Sequence, residues 1–268
     1  MKVTLFSLAV SPPGIGTRLM LEHKAIAHRI VYLVPAMHML PLRLLGFREK
    51  TVPALRIDGE RIQGSLRIAR ELERRVPEPP LFPADRRERT AIEEAEAWGE
   101  SVLQAVVRHT VRNAAMREHS VREWTARSAH IPAPRLVAAL AAPYTRWFAV
   151  GYSGASDDAA RADLARLDEL LDEADRLIAL GVIGAGRLNA ADCQVAPNVR
   201  ALMAIPELRA RIAARPVGAL AMRLVPEYPD LPRGAFPAEW MKAVGLEAET
   251  SARAEHVLGR VSGPDTDR

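Results

Sequence analysis

Thiol chemistry is scarce in this chain of 268 residues: it has one cysteine, Cys193. A lone cysteine closes no intramolecular disulfide and leaves no Cys-based zinc set. The seven histidines are dispersed and none falls at zinc-ligand spacing, so no metal is expected. Aromatic residues make up only 5% of the chain. The net charge is +4 with a pI near 9.6, and the arginines are scattered among acids rather than gathered into a block. Nucleic-acid binding draws on clustered positive charge, so no nucleic-acid partner is expected. No run of about 18 apolar residues occurs. The apolar start, Met1 to Phe6, is stopped by Pro12 and Pro13 before a signal-peptide core could form. No membrane partner and a cytoplasmic location are therefore expected. Gly14-x-Gly16 and Gly181-x-x-Gly184-x-Gly186 fit neither a dinucleotide nor a phosphate-loop pattern and read as turns.

What the chain does have is apolar residues in periodic order, 49% of the total, enough for one or two domains. Val3 to Leu8 reads as a short buried strand. A loop through Ser11, Pro12, Pro13 and Gly14 leads into a helix ending near Lys24, with Ile15, Leu19 and Met20 on one face. Arg29 to Val34 reads as a second strand, and Ala36 to Leu45 as a short helix interrupted near Pro41. Ala54–Ile57 and Glu60–Ile62 flank Asp58-Gly59, a hairpin signal because both residues tolerate positive φ. A helix follows from Ser65 to Arg75, with Ser65 as its cap. The order is β-α-β-α-β-β-α.

The proline-dense stretch Val76 to Pro83 cannot continue a helix or a central strand and reads as a linker. Beyond it the pattern is helical. Arg87–His119 reads as one long helix, and Val121–Val150 as helix broken at Pro132 and Pro134. Ala159–Leu180 reads as one amphipathic helix, and Asn189–Met203 as a helix opened by a variant capping box, Asn189 with Asp192. Cys193 sits on that helix beside Asp192, whose charge opposes thiolate formation, so it reads as inert core.

Several segments carry a resemblance. Thr51-Val52-Pro53-Ala54-Leu55, Asp58-Gly59, Gln63-Gly64-Ser65-Leu66-Arg67-Ile68-Ala69, Pro79-Pro80-Leu81-Phe82-Pro83 and Asn189-Ala190-Ala191-Asp192 occur in the order found in glutathione S-transferases. Ser11-Pro12-Pro13-Gly14-Ile15-Gly16-Thr17-Arg18-Leu19 resembles that family's first helix turn. The resemblance spans roughly residues 1–240. It implies an α/β thioredoxin-like N-terminal domain with a four-stranded mixed sheet (1–78), a linker (79–87), an all-α C-terminal domain (88–245) and a polar tail (246–268).

The resemblance also implies a site. Val52-Pro53 would be a cis peptide whose Val52 backbone groups pair with the peptide of a thiol ligand. Gln63, Gly64 and Ser65 would hold the ligand's carboxylate end at a helix N-terminus. The family's Glu or Gln before the serine is replaced here by Gly64, with Gln63 one place earlier. Ser11 would be the catalytic residue, its hydroxyl stabilising a bound thiolate, with Ser7, Thr4 and Thr17 as neighbouring alternatives. The implied cosubstrate is glutathione or another low-molecular-weight thiol, the second substrate an apolar electrophile, the assembly a homodimer and the role detoxification. Two other readings fit the same residues: a non-catalytic ligand carrier or protein-interaction scaffold, and a thiol-dependent isomerase or dehalogenase.

Overall fold

A computed structural model describes residues 1–35, 37–152 and 154–243. The expected tail, 246–268, and the last two residues of the expected helical domain lie outside the described residues. Val3–Ser7 forms β1, buried along its whole length because it is a central strand. Pro12–His23 forms α1, His28–Tyr32 β2, Met39–Leu44 α2, Ala54–Ile57 β3, Glu60–Gln63 β4 and Ser65–Arg75 α3. The sheet runs β2-β1-β3-β4, with β1 parallel to β2 and antiparallel to β3, and β3 antiparallel to β4. This is the four-stranded mixed sheet expected. Asp58 and Gly59 turn the β3–β4 hairpin with φ of 49° and 96°. The α2 helix is shorter than expected, and Pro41 does not interrupt it. Pro41 lies in its first turn, where the missing N–H has no intrahelical partner to lose.

The chain then becomes helical. Arg86–Trp98 (α4) passes through a π-helical turn at Gly99–Leu103 into Gln104–Arg117 (α5), so the long helix expected here is continuous but locally overwide. Next come His119–Ser128 (α6), Pro134–Leu140 (α7), Ala142–Trp147 (α8) and a second π turn, Phe148–Tyr152. The single helix expected over 159–180 is two: Asp157–Ala165 (α9), capped by Ser156, and Leu167–Ala179 (α10), with the break at Arg166. Ala190–Leu202 (α11) opens with the expected capping box, Asn189 Oδ1 accepting from Asp192 N at 3.0 Å and Asp192 Oδ2 from Asn189 N at 3.1 Å. Pro206–Ala213 (α12), Pro216–Leu224 (α13) and Ala238–Ala243 (α14) complete the described chain.

One continuous apolar core joins the two halves. Leu5, Met20, Leu55 and Leu72 from the sheet side meet Leu103, Leu171, Val195 and Val199 from the helical side. A smaller cluster of Phe6, Leu33, Leu42, Phe47 and Ala54 lies under α2, with the Phe6 and Phe47 rings edge to face at 5.5 Å. The α11 helix is the hub. Nearly every residue of it is buried, Cys193 among them. Burial pushes the Cys193 thiol well up, and the Asp192 and Glu96 carboxylates add to the effect. That agrees with an inert core thiol.

Candidate functional site

The strand register places the expected site residues at one end of the sheet. Phe6 of β1 pairs with Ala54 of β3, and Ala54 pairs with Gln63 of β4. Ser11 therefore follows the end of β1 where Pro53 precedes β3 and Ser65 follows β4. Both α1 and α3 begin at this end; the α3 N-terminus brings unpaired N–H groups there, whereas α1 opens with Pro12 and Pro13, which carry no N–H.

Ser11 occupies the N-cap position of α1 with an extended backbone, φ −81° and ψ 113°. Its N–H donates to Leu8 O at 3.2 Å and its C=O accepts from Ile15 N at 2.9 Å. Its hydroxyl makes no capping bond, so the side chain is not spent on the helix. The Ser7 hydroxyl, one of the alternatives, is buried and donates to Leu8 O at 3.1 Å. Thr17 is buried and donates to Pro13 O at 2.9 Å.

Val52-Pro53 is cis. Neither the N–H nor the C=O of Val52 takes a hydrogen bond among the described residues, and Val52 is half-buried. The approach to this peptide is held by Gln63. Its amide accepts from Glu49 N at 2.8 Å and donates to Glu49 O at 2.9 Å and Thr51 O at 3.2 Å. Gln63 thus faces the 49–51 loop. Ser65 is not the cap expected of it. Gly64 caps α3 with φ 87°, a conformation that favours glycine, and donates its N–H to Pro53 O at 3.1 Å. That turn starts the helix one residue later, with buried Ser65 as its first residue. The Ser65 hydroxyl donates to Glu100 Oε1 at 3.3 Å.

Glu100 has no signal in the sequence; the π turn aims it at α3. One turn earlier Glu96, fully buried, accepts from Arg70 Nη1 of α3 at 2.7 Å, and its other oxygen has no partner. Burial pushes the Glu96 carboxyl up to about 7, against the pull of Arg70. Because the folded value lies above the ordinary 4.5, Glu96 favours the folded state below that value, and its contribution is lost as pH rises from 4.5 to about 7. Urea unfolding is expected to lose on the order of 2 kcal/mol between pH 5 and pH 8. Glu96→Gln should flatten that slope; an equal slope in the variant would contradict the assignment.

A second contact escaped sequence reasoning because its partners lie far apart in the chain. Tyr228 Oη donates to Val10 O at 2.8 Å, tying the loop that carries Ser11 to the segment after α13. Arg200 holds that segment through Val225 O at 3.0 Å and lies over the Tyr228 ring. A cavity of about 220 Å³ opens beneath, lined by Ser7, Gly14, Ile15, Arg18, Tyr32 and Tyr228 among others. Ser11 is not in its wall. Burial lowers the His38 imidazole, and the charge of Arg112 on α5 adds to that. No group of three or more metal-ligating side chains occurs among the described residues.

Residues 5–80 match the family model described as glutathione S-transferase, N-terminal domain. No curated protein matches the sequence. Among solved structures, a glutathione S-transferase from Sinorhizobium meliloti is 17% identical, covers 91% of this chain and 99% of its own, and has a TM-score of 0.58. A glutathione S-transferase from Methylobacterium radiotolerans, in complex with glutathione sulfonate, is 21% identical over 87% of this chain and 97% of its own, with a TM-score of 0.51. FzlA from C. crescentus is 16% identical over 91% and 99%, with a TM-score of 0.57.

Proposed function

Since residues 5–80 fall in the glutathione S-transferase N-terminal domain family and the described chain adopts the glutathione S-transferase fold, we propose that the protein binds glutathione or another low-molecular-weight thiol and activates it for attack on an apolar electrophile. The observation that carries this reading is the convergence at one sheet end of an uncommitted Ser11 hydroxyl, the unpaired peptide groups of Val52 and the N-terminus of α3. The glutathione sulfonate bound by the Methylobacterium structure, a sulfonate standing where the thiol would be, supports a glutathione-like peptide as the ligand class. We extend the proposal to a cytoplasmic homodimer with a detoxifying role. The domain limits 1–78, 79–87 and 88–245 belong to the same reading.

In this reading the Val52 N–H and C=O pair with the ligand's peptide as an added strand edge would. The α3 N-terminus and Ser65 receive a carboxylate, which exchanges with Glu100 for the Ser65 hydroxyl. Gln63 and Gly64 act indirectly, Gln63 by holding the 49–51 loop with its side-chain amide and Gly64 by turning the chain into α3. The thiol sulfur lies at the N-terminus of α1, where Ser11 Oγ–H donates to it and stabilises the thiolate. The thiolate forms a bond to the electrophilic carbon as the leaving group departs with its electron pair. A carrier or scaffold is the second reading, favoured by the Ser65–Glu100 contact and the missing side chain at Gly64.

The test is the pH dependence of conjugation with a generic electrophile. Ser11→Ala is expected to leave thiol affinity nearly intact, raise the bound thiol's pKa by about one unit and slow conjugation about tenfold at neutral pH. An unchanged pH–rate profile would remove Ser11 from the mechanism. No thiol-dependent turnover in the wild type would leave the scaffold.

A further inference from the structure

The helical stretch from α7 through α8 to the second π turn carries its apolar residues on the outside. Leu136, Leu140, Tyr144, Trp147 and Val150 follow one another at helical spacing and are exposed, Leu140 at 71% and Trp147 at 58%. Ala138, Phe148 and Ala149 fill the inward face. The charged residues on the outward face are Arg135 and Arg146. About one residue in eight of the chain is acidic, yet residues 124–156 contain no Asp or Glu. Glu123, at the border, accepts from Arg127 and Arg135.

A second stretch has the same character. Residues 23–48 also lack any acid. Its α2 region exposes Met37, Leu40 and Leu44 beside Arg43. Arg112 stands between the two stretches. Its guanidinium lies 4.9 Å from the Phe148 ring centroid, next to α8, and its charge acts on His38 at the start of α2.

We propose that these two stretches form one docking face for an anionic lipid surface. Leucines, methionine and Trp147 enter the boundary between headgroups and acyl chains, and Arg43, Arg135 and Arg146 meet lipid phosphates. An apolar stripe with tryptophan and arginine and no acid is the composition of an interfacial helix. Charge argues against a second copy of the chain as the occupant. A two-fold contact would set arginines of one copy against those of the other, and the one acid that reaches the face, Glu123, is already shared by Arg127 and Arg135. The expectation of no membrane partner rests on the absence of a long apolar run, and a stripe at helical spacing leaves no such run. Among the described residues no helix is long and apolar enough to cross a membrane, so the contact is with the surface.

The experiment is co-sedimentation of the full chain with vesicles of phosphatidylcholine alone and of phosphatidylcholine mixed with phosphatidylglycerol. Binding to the anionic vesicles is expected to be at least about tenfold tighter and to weaken with salt. Leu140→Asp with Trp147→Asp should lower it at least about tenfold. Arg135→Gln and Arg146→Gln should each lower it about fivefold. All four positions are exposed, so circular dichroism and unfolding midpoints should stay at wild-type values. Equal binding to both vesicles, no binding, or variants that bind like wild type would overturn the proposal. So would retention by polyglutamate but not by vesicles, which marks an acidic polypeptide. A vesicle-free dimer that the double aspartate variant dissociates would overturn it in favour of a second copy.

Discussion

Lys24→Met is expected to lower the free energy of unfolding by about 3–5 kcal/mol, read from urea denaturation at neutral pH. The Lys24 side chain is fully buried at the end of α1. Its Nζ donates to Glu73 Oε2 at 2.7 Å, to Val76 O at 2.6 Å and to Pro79 O at 3.0 Å. Glu73 in turn accepts from Leu81 N at 2.9 Å and, more weakly, from Phe82 N at 3.4 Å. One ammonium and one carboxylate thus organise the whole proline-rich crossing, and Ala190 N donates to Leu81 O at 3.1 Å to dock it on α11. Methionine fills the volume but leaves a largely buried carboxylate and two carbonyls without their donor. Breaking a buried pair from one side costs far more than removing both charges. The double variant Lys24→Met with Glu73→Gln should therefore recover part of the loss. A single variant within about 1 kcal/mol of wild type would contradict the role given to Lys24.

Gly16→Ala is expected to cost about 3 kcal/mol, at the upper end for overpacking. A Cβ at Gly16 would lie 2.0 Å from the carbonyl oxygen of Cys193. That carbonyl is special within α11. Pro197, four residues on, has no N–H to donate to it, so the helix leaves it unpaired and α1 packs directly over it. A side chain could rotate away from a new methyl group; a backbone carbonyl in a buried helix cannot. The α1–α11 contact, which joins the two halves of the molecule, would have to open. The same movement would displace Ser11 at the head of α1, so the proposed thiol conjugation should fall along with stability. An unchanged urea midpoint in Gly16→Ala would show that the two helices are not packed as described.

Where local chemistry decides a feature, the sequence reveals it. Asp58-Gly59 turns the hairpin because both residues accept positive φ. Asn189 and Asp192 start α11 because their side chains reach each other's backbone within one turn. Ser11, Val52-Pro53 and Ser65 entered through the family resemblance rather than through local chemistry, and the strand register sets all three near strand ends at one end of the sheet. What was not legible depends on tertiary contact. The π turn at Gly99 arises where α4 and α5 press on α11, whose Gln194 and Val195 crowd Gly99. No local pattern marks the extra residue, or its consequence that Glu100 reaches Ser65. The Tyr228–Val10 bond joins residues 218 positions apart. Ser65 reads as a cap by residue type, but the turn needs φ 87° one place earlier, and Gly64 takes the position.

The most direct test of the proposed thiol site is the ionisation of a bound thiol. Glutathione held at saturation by the wild-type protein is titrated from acid to alkaline pH, and its thiolate is followed by ultraviolet absorbance. A hydroxyl donor at the N-terminus of α1 predicts a bound thiol pKa at least about one unit below that of the free thiol, with most of that shift lost in Ser11→Ala. A bound thiol that ionises as it does in free solution, or a protein that no thiol saturates, would contradict the account.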